Sequence, residues 1–401
     1  MPQRTTTRLD LVHLLDAMEQ APPVQAADVL GQVLGNVLGA SQVAFLIADF
    51  SGDALIRLGH ADGPAAGRRR GRERAERVPL EGTVHGRVLE RQEVAIEPSD
   101  DGVLALAPVT NRGEAIGVIE ATLPAAPDEA GIADLAAAAG AFAYVVIANR
   151  RFTDLYEWGQ RSVPLSLAAE IQHRLLPSAY TCEAGRFTIA AWLEPAGDIA
   201  GDTFDFSVDR DVLHLSMTDA MGHATHAAVL ATVLVGALRN ARRAGAGIEE
   251  QAGRASEALV RHTTGEGFVT GQLVRVDLAS GVARIVNAGH PPPIRLRGGR
   301  VDRVALDADL PFGVEPGQAF HARPLSLQPG DRLVFVTDGM LERNAATVDL
   351  AGIVAEGGAL HAREAVRRLV GELLAATDGS LRDDATVMCL DWHGDGPVRR
   401  R

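Results

Sequence analysis

The sequence predicts an α+β chain of two domains, and three observations carry that expectation. Its 401 residues exceed what one hydrophobic core usually organises. The first part passes from helical to short strand-like apolar patterns and closes on an alanine-rich helix. The second part sets strand-like runs beside aspartates that fall at strand ends. The expected boundaries are residues 8–150 for the first domain, 151–177 for a helical linker and 178–394 for the second domain.

Residues 9–39 place Leu11, Leu14, Leu15 and Met18, then Val29, Val33, Val37 and Leu38, at helical spacing, with Pro22-Pro23 between. Two helices follow. Strands are expected over 43–48 and 55–58 about a Ser51-Gly52-Asp53 turn, then over 94–97, 103–109 and 115–122, the last two joined by Asn111-Arg112-Gly113. A helix from Glu129 closes the segment. This order over residues 10–150 resembles a GAF domain, with local likeness in Val78–Val84, Leu106–Val109 and Gly117–Ile119. The resemblance implies an α/β sensor or dimerisation domain with a small-molecule ligand, and no cysteine or histidine there nominates a haem, bilin or metal.

The closing helix is expected to run on through Phe152, Leu155, Tyr156 and Trp158 until Pro164 interrupts it. A second helix spans residues 165–176 before Pro177. Leu167, Ile171, Leu175 and Leu176 form a stripe that either pairs with a second copy, giving a homodimer through the linker, or packs on the neighbouring domain.

The net charge of −13 argues against a general nucleic-acid binder, because phosphate contacts need a basic footprint. The one basic run, Arg68-Arg69-Arg70 with Arg72, Arg74 and Arg77, is broken by Gly67 and Gly71 and mixed with Glu73 and Glu76, so it is expected as a solvated loop; a patch for an acidic partner is the alternative. No uninterrupted apolar run reaches the roughly 18 residues of a membrane span, and the opening residues lack the apolar centre of a secretory signal. A cytoplasmic protein without membrane contact is expected. Cys182 and Cys389 lack disulfide or zinc spacing and are expected as packing residues.

The chemistry lies in the aspartates. Folding 203–208 and 212–217 about Asp209-Arg210-Asp211 sets Asp202 opposite Asp219, since antiparallel partners keep a constant index sum. A helix is expected from Ala224 to Arg242, its amino terminus facing the same edge. The strand 332–337 ends in Asp338-Gly339, and the strand 385–390 follows Asp383-Asp384, so antiparallel pairing brings Asp338 to Asp383 or Asp384. Aspartate beside glycine most often makes a turn. Carboxylates this close raise one another's pKa unless a cation sits between them. Oxygen-only ligands suit Mn²⁺ or Mg²⁺, and two ions about 4 Å apart can activate a water and clamp a phosphoryl oxygen.

From Leu167 onward the sequence resembles the SpoIIE branch of the type 2C (PPM) metal-dependent protein phosphatases. The likeness rests on Ala169–Gln172 with Leu175–Pro177, Glu194–Ala196, Gly201–Asp205, Asp219–His223, Asn287–Pro293, Leu310–Val314, Pro329–Asp331, Thr337–Gly339 and Asp383–Thr386, in order. It implies stacked antiparallel sheets flanked by helices, with two ions at one end. By that resemblance Asp219 bridges the ions, Asp202 and the Ala220 carbonyl serve one, and Asp338 with Asp383 serves the other; Asp384 is the alternative to Asp383. His223 and His290 fall where the family has histidine, as proton carriers, loop anchors or structural residues. His226 reads as helix surface or packing. Ala200, Phe204 and Ala224 depart from the family's usual glycine, tyrosine and glycine, which puts the substrate-facing surface in question.

The implied activity is a phosphoserine and phosphothreonine protein phosphatase acting on an anti-sigma-factor antagonist of the STAS type, tuned by the first domain. The competing readings are a sensor scaffold with little or no catalysis and a hydrolase of another phosphoester, the latter lacking a P-loop or base-binding signature.

Overall fold

In a computed structural model the described residues are 8–60, 68–71, 73–196, 201–222, 224–262, 267–341, 348–379, 381 and 383–395. The chain divides into one unit that runs to Pro164 and a second that starts at Leu165.

The first unit opens with α1 (Leu11–Gln20), whose free amides at Val12 and His13 are capped by the Asp10 side chain. The Pro22-Pro23 break precedes α2 (Ala26–Leu38). Then come β1 (Gln42–Ala48), β2 (Ala54–His60), β3 (Arg68–Arg70), β4 (Glu73–Pro79), α3 (Val84–Arg91), β5 (Ala95–Ser99), β6 (Gly102–Asn111), β7 (Glu114–Leu123), α4 (Glu129–Asn149) and α5 (Leu155–Gly159). The strands form one sheet in the order β3-β4-β2-β1-β7-β6-β5. One sheet face, through Phe45, Ile47 and Ile119, packs on Leu14, Leu30, Leu34 and Phe142 of α1, α2 and α4. The other face carries Leu46, Leu55 and Val118 against Val88 and Leu89 of α3.

Two expectations fail here. Most of the arginine run is strand: Arg68–Arg70 is a short edge strand on Glu73–Pro79, and β4 pairs in turn with β2 so that Glu76 lies opposite Arg57, while Gly67 and Arg72 lie outside the described residues. Arg68 donates to the Trp158 carbonyl at 2.7 Å and sits 5.0 Å from that indole's centroid. The closing helix does not run on, because α4 ends at Asn149, and the free Leu155 amide is capped by Thr153.

The expected linker is also divided between the units. Tyr156 is buried in the first core, Gln160 donates to the Ala48 carbonyl, and Ser162 donates to Asp49. Helix α6 (Leu167–Leu175) belongs to the second unit. Of its apolar stripe, Ile171 packs with Ala168 and Ala228, Leu175 and Leu176 join clusters of their own unit, and Leu167 is 69% exposed. Leu176 is buried, Ile171 and Leu175 are partly buried within the unit, and Leu167 is the most exposed of the stripe.

The second unit continues with β8 (Thr181–Glu183), β9 (Phe187–Glu194), β10 (Asp202–Val208), β11 (Val212–Ala220), α7 (Ala224–Arg243), α8 (Ile248–His262), β12 (Val269–Asp277), β13 (Val282–Ala288), β14 (Ile294–Arg297), β15 (Arg300–Arg303), β16 (Arg323–Ser326), β17 (Arg332–Val336), α9 (Leu350–Glu356), α10 (Ala362–Ala376) and β18 (Ala385–Trp392). A five-stranded sheet, β10-β11-β12-β13-β16, lies on a six-stranded one, β15-β14-β17-β18-β9-β8. Alternate residues of both meet between them, among them Phe204, Met217, Ile285, Phe335 and Met388. Helices α7 and α8 cover the outer face of the first sheet, and α9 and α10 that of the second. All strand pairings are antiparallel, which makes this unit a helix-flanked sandwich.

Helices α4 and α7 are long and apolar enough to cross a membrane by length and composition, which counting uninterrupted runs overlooks. Each also buries a face in its unit's core. Cys389 is fully buried, whereas Cys182 is only half-buried.

Candidate metal centre

The register of the β10–β11 hairpin places Asp202 directly opposite Asp219. The same parity points Phe204 into the sandwich core, where its ring lies 5.1 Å from that of Tyr180. The hydroxyl lost at that position therefore faces packing rather than substrate. The hairpin's end is tight, since a Cβ on Gly201 would stand 2.6 Å from the Ala220 carbonyl oxygen.

The facing sheet delivers the other acids. Strands β17 and β18 pair through Val336 and Val387, and the Thr337 amide donates to the Thr386 carbonyl at 3.1 Å. Asp338 follows at once, and a Cβ on Gly339 would lie 2.0 Å from the Asp384 carbonyl oxygen. Only glycine lets the Asp338 turn come this close to the Asp383-Asp384 pair.

Across the sheets, Asp202 Oδ2 accepts from Thr337 Oγ1 at 2.7 Å and from Thr386 Oγ1 at 2.6 Å. Asp384 is buried, with Oδ1 accepting from the Ala196 amide at 2.9 Å and Oδ2 from Gln172 Nε2 at 2.6 Å and the Gly201 amide at 3.3 Å. Asp383 is half-buried and accepts from the Asp384 amide at 2.9 Å.

Burial pushes the Asp219 carboxyl up to about 7, reinforced by the charges of Asp338, Asp383 and Asp384 and by a side-chain hydrogen bond with Asp338. Burial also lifts Asp202 well above the carboxylate range, with Asp219 and Asp384 adding to it and the two threonine hydroxyls opposing. Asp384 rises to about 6 through burial, against its three hydrogen bonds, and Asp383 rises through burial and the charge of Asp338. Asp202, Asp219, Asp383 and Asp384 are thus raised together by burial and by the charges of neighbouring acids.

His290 is buried. Its Nδ1 is 2.9 Å from Thr270 Oγ1, and Thr270 pairs with Asp219 on the neighbouring strand. Burial drops its pKa to about 4, a contact with the Val336 main chain pulling the other way. Its backbone amide donates to Asn287 Oδ1 at 2.9 Å, so ring and main chain are both tied to neighbouring strands. His226 is exposed on α7, as expected. His223 and Ala200 lie outside the described residues. Ala224 adopts φ +56°, the left-handed region in which glycine is at ease.

The donor set, all carboxylate and carbonyl oxygen, fits hard divalent cations such as Mn²⁺ or Mg²⁺. Among the described residues no three His, Cys, Asp or Glu side chains already form a cage.

Residues 209–393 match the family described as Stage II sporulation protein E (SpoIIE). A little under half of the chain, all of it in the second unit, is therefore similar to the SpoIIE family. The match includes Asp219, Asp338, Asp383 and Asp384 and begins after Asp202.

Among solved structures, the chain is similar to the RsbU and RsbW domains of a Mycobacterium tuberculosis protein, at 27% identity and TM-score 0.47, covering 55% of this chain and 63% of that one. It therefore spans less than two thirds of that relative. It is also similar to the PP2C phosphatase domain of SpoIIE from Bacillus subtilis with a fragment of its regulatory domain, at 15% identity and TM-score 0.46, covering 78% and 87%. A third likeness is to the catalytic domain of the serine/threonine phosphatase PstP in complex with two manganese ions, at 17% identity and TM-score 0.41, covering 52% and 100%.

Proposed function

We propose that the second unit is a Mn²⁺- or Mg²⁺-dependent phosphatase of phosphoserine and phosphothreonine, acting on a partner protein of the STAS anti-sigma-factor antagonist type. One observation carries the reading: aspartates from two facing sheets converge at one end of a unit similar to the SpoIIE family, and the charges that shift them are one another's.

Asp219, central to the mutual repulsion, would touch both ions. Asp202, through the oxygen its threonines leave free, and the Ala220 carbonyl would hold one ion; Asp338 and Asp383 would hold the other. Asp383 is chosen over Asp384 because both Asp384 oxygens already accept protein hydrogen bonds. When bound, the ions supply an activated water and offset charge on the phosphoryl oxygens. The carboxylates would hold the ions in place.

The first unit, with helices on both faces of an antiparallel sheet, is read as a GAF-like sensor that tunes the second, and the protein as cytoplasmic. The deciding experiment is hydrolysis of p-nitrophenyl phosphate with Mn²⁺, with Mg²⁺ and with chelator, beside Asp219→Asn. Cation-dependent turnover lost in the variant is expected. A folded protein inactive with every cation would overturn the reading in favour of a scaffold.

A further inference from the structure

Strand β11 ends at the acid-bearing edge of its sheet, and its ladder with β12 runs one step past Asp219. Asp219 pairs with Thr270 and Ala220 with Val269, and the Met221 amide then donates to the Phe268 carbonyl at 3.1 Å. Side chains alternate across such a ladder. Ala220 and Val269 take the face covered by α7 and α8. Met221 and Phe268 therefore share the opposite face with Asp219, one pair beyond it.

A third segment continues this edge. Val269 and Phe312 exchange both main-chain hydrogen bonds, at 3.0 and 2.9 Å, which seats residues 310–314 beside Phe268. Residues 220–222, 267–270 and 310–314 contain no acidic or basic side chain. Large apolar groups there stand in solvent, since Met221, Phe268, Leu310 and Val314 are 37–47% exposed. Exposed apolar side chains scattered singly need no explanation, but a cluster of them marks a contact surface. Methionine and aromatic rings are enriched in such surfaces.

The position of the patch dictates what covers it. Two residues along a strand span about 7 Å, and successive residues of a bound chain lie about 4 Å apart. A phosphoserine whose phosphoryl group meets the acidic centre therefore sets its next or next-but-one neighbour over Met221 and Phe268. The carboxylates of the centre repel an acidic neighbour, and the uncharged floor offers no ion pair to a basic one. An apolar neighbour is the one this floor can take out of water.

We propose that Met221 and Phe268 form the floor of a substrate subsite that takes the apolar side chain flanking the phosphoserine of a protein substrate, with Leu310 and Val314 on its flank. The inference rests on the phosphatase reading above and adds a choice among phosphoproteins, made by the residues beside the phosphate.

The test uses the full-length protein with Mn²⁺ and two phosphoserine peptides of equal length and charge, one with leucine on both sides of the phosphoserine and one with serine there. p-Nitrophenyl phosphate, which has no flanking residue, is the reference substrate. Wild type is expected to favour the leucine peptide about tenfold in kcat/KM, chiefly through KM, the usual effect of one apolar group in a pocket. Phe268→Ser and Met221→Ser are each expected to shrink that preference to within about threefold, while Phe268→Leu keeps most of it. Val208→Ser, at the far end of the β10–β11 hairpin and 42% exposed in wild type, controls for the loss of any exposed apolar group and is expected to keep the preference. Should Phe268→Ser fail to fold, Met221→Ser decides. Wild type that hydrolyses both peptides equally, or p-nitrophenyl phosphate and neither peptide, would overturn the inference alone, as would a preference that survives both serine variants. Wild type that hydrolyses none of the three would overturn the phosphatase reading as well.

Discussion

Buried carboxylates are treated in opposite ways at two places, around Glu120 in the first unit and at the sheet ends of the second, where Asp202 and Asp219 stand. In the first, Glu120 of β7 accepts from Arg57 Nη2 at 2.6 Å and Nε at 3.0 Å and lies 2.6 Å from His85 Nε2. Burial pushes that carboxyl up, but the hydrogen bonds and charges of His85 and Arg57 outweigh it and hold Glu120 below the usual range. In the second, Asp202 and Asp219 have chiefly other carboxylates for charged neighbours, and both rise. A buried acid supplied with its own cation is finished as a structural element. A buried cluster without one, on the function proposed above, would be completed by a cation from outside.

The largest expected effect is on that completion. Asp219→Asn removes the central carboxylate and should lower Mn²⁺-dependent hydrolysis on the order of a thousandfold or more while leaving circular dichroism unchanged. Full activity would end the two-ion account. Glu120→Gln breaks the compensated cluster and should cost on the order of 1–3 kcal/mol in denaturant unfolding of the first unit, because it leaves His85 without its anion and Arg57 with Glu76 alone. A loss as small as that of a surface change would show that Glu120 is solvated.

Mn²⁺ at about a hundred times its dissociation constant should stabilise the second unit by about 2.7 kcal/mol and the first by nothing, read as separate thermal transitions. Equal shifts would erase the contrast. Acid sharpens it further. Because the folded pKa of Glu120 is lowered, its contribution is full above the unfolded carboxyl pKa and is lost as pH falls through the lower folded value. The stability that separates wild type from Glu120→Gln should therefore shrink in acid; a gap that stays constant down to the acid transition would contradict the assignment. The smallest effect expected is a turnover change of about fivefold on deleting residues 1–164, the size of ordinary coupling between sites. An unchanged rate would leave the first unit without control of the second.

How much of this was legible in the sequence follows from the range of each interaction. The pairing of Asp202 with Asp219 depends only on a short turn and a constant index sum, and it could be counted. The approach of Asp338 to Asp383-Asp384 needed the further assumption that two distant strands are neighbours, which they are. Choosing between the paired aspartates needed the partners of Asp384, which come from α6 and from Ala196 and Gly201. Gln172 did carry a signal, a lone amide on the alanine face of an amphipathic helix. Glu120 carried one too, a single acid inside the apolar run of β7. The arginine run was misread because its charges also meet acids far outside it, Asp53 for Arg77 and Asp154 for Arg70, which composition cannot show.

Gly339 gives the experimenter a handle of another kind. Any side chain there would collide with the Asp384 carbonyl at 2.0 Å, so the smallest replacement, Gly339→Ala, acts as a one-carbon wedge between two chain segments. It deletes no carboxylate and changes no charge. If the wedge parts Asp338 from its neighbours, a lost reaction traces to geometry alone, which no aspartate substitution can isolate.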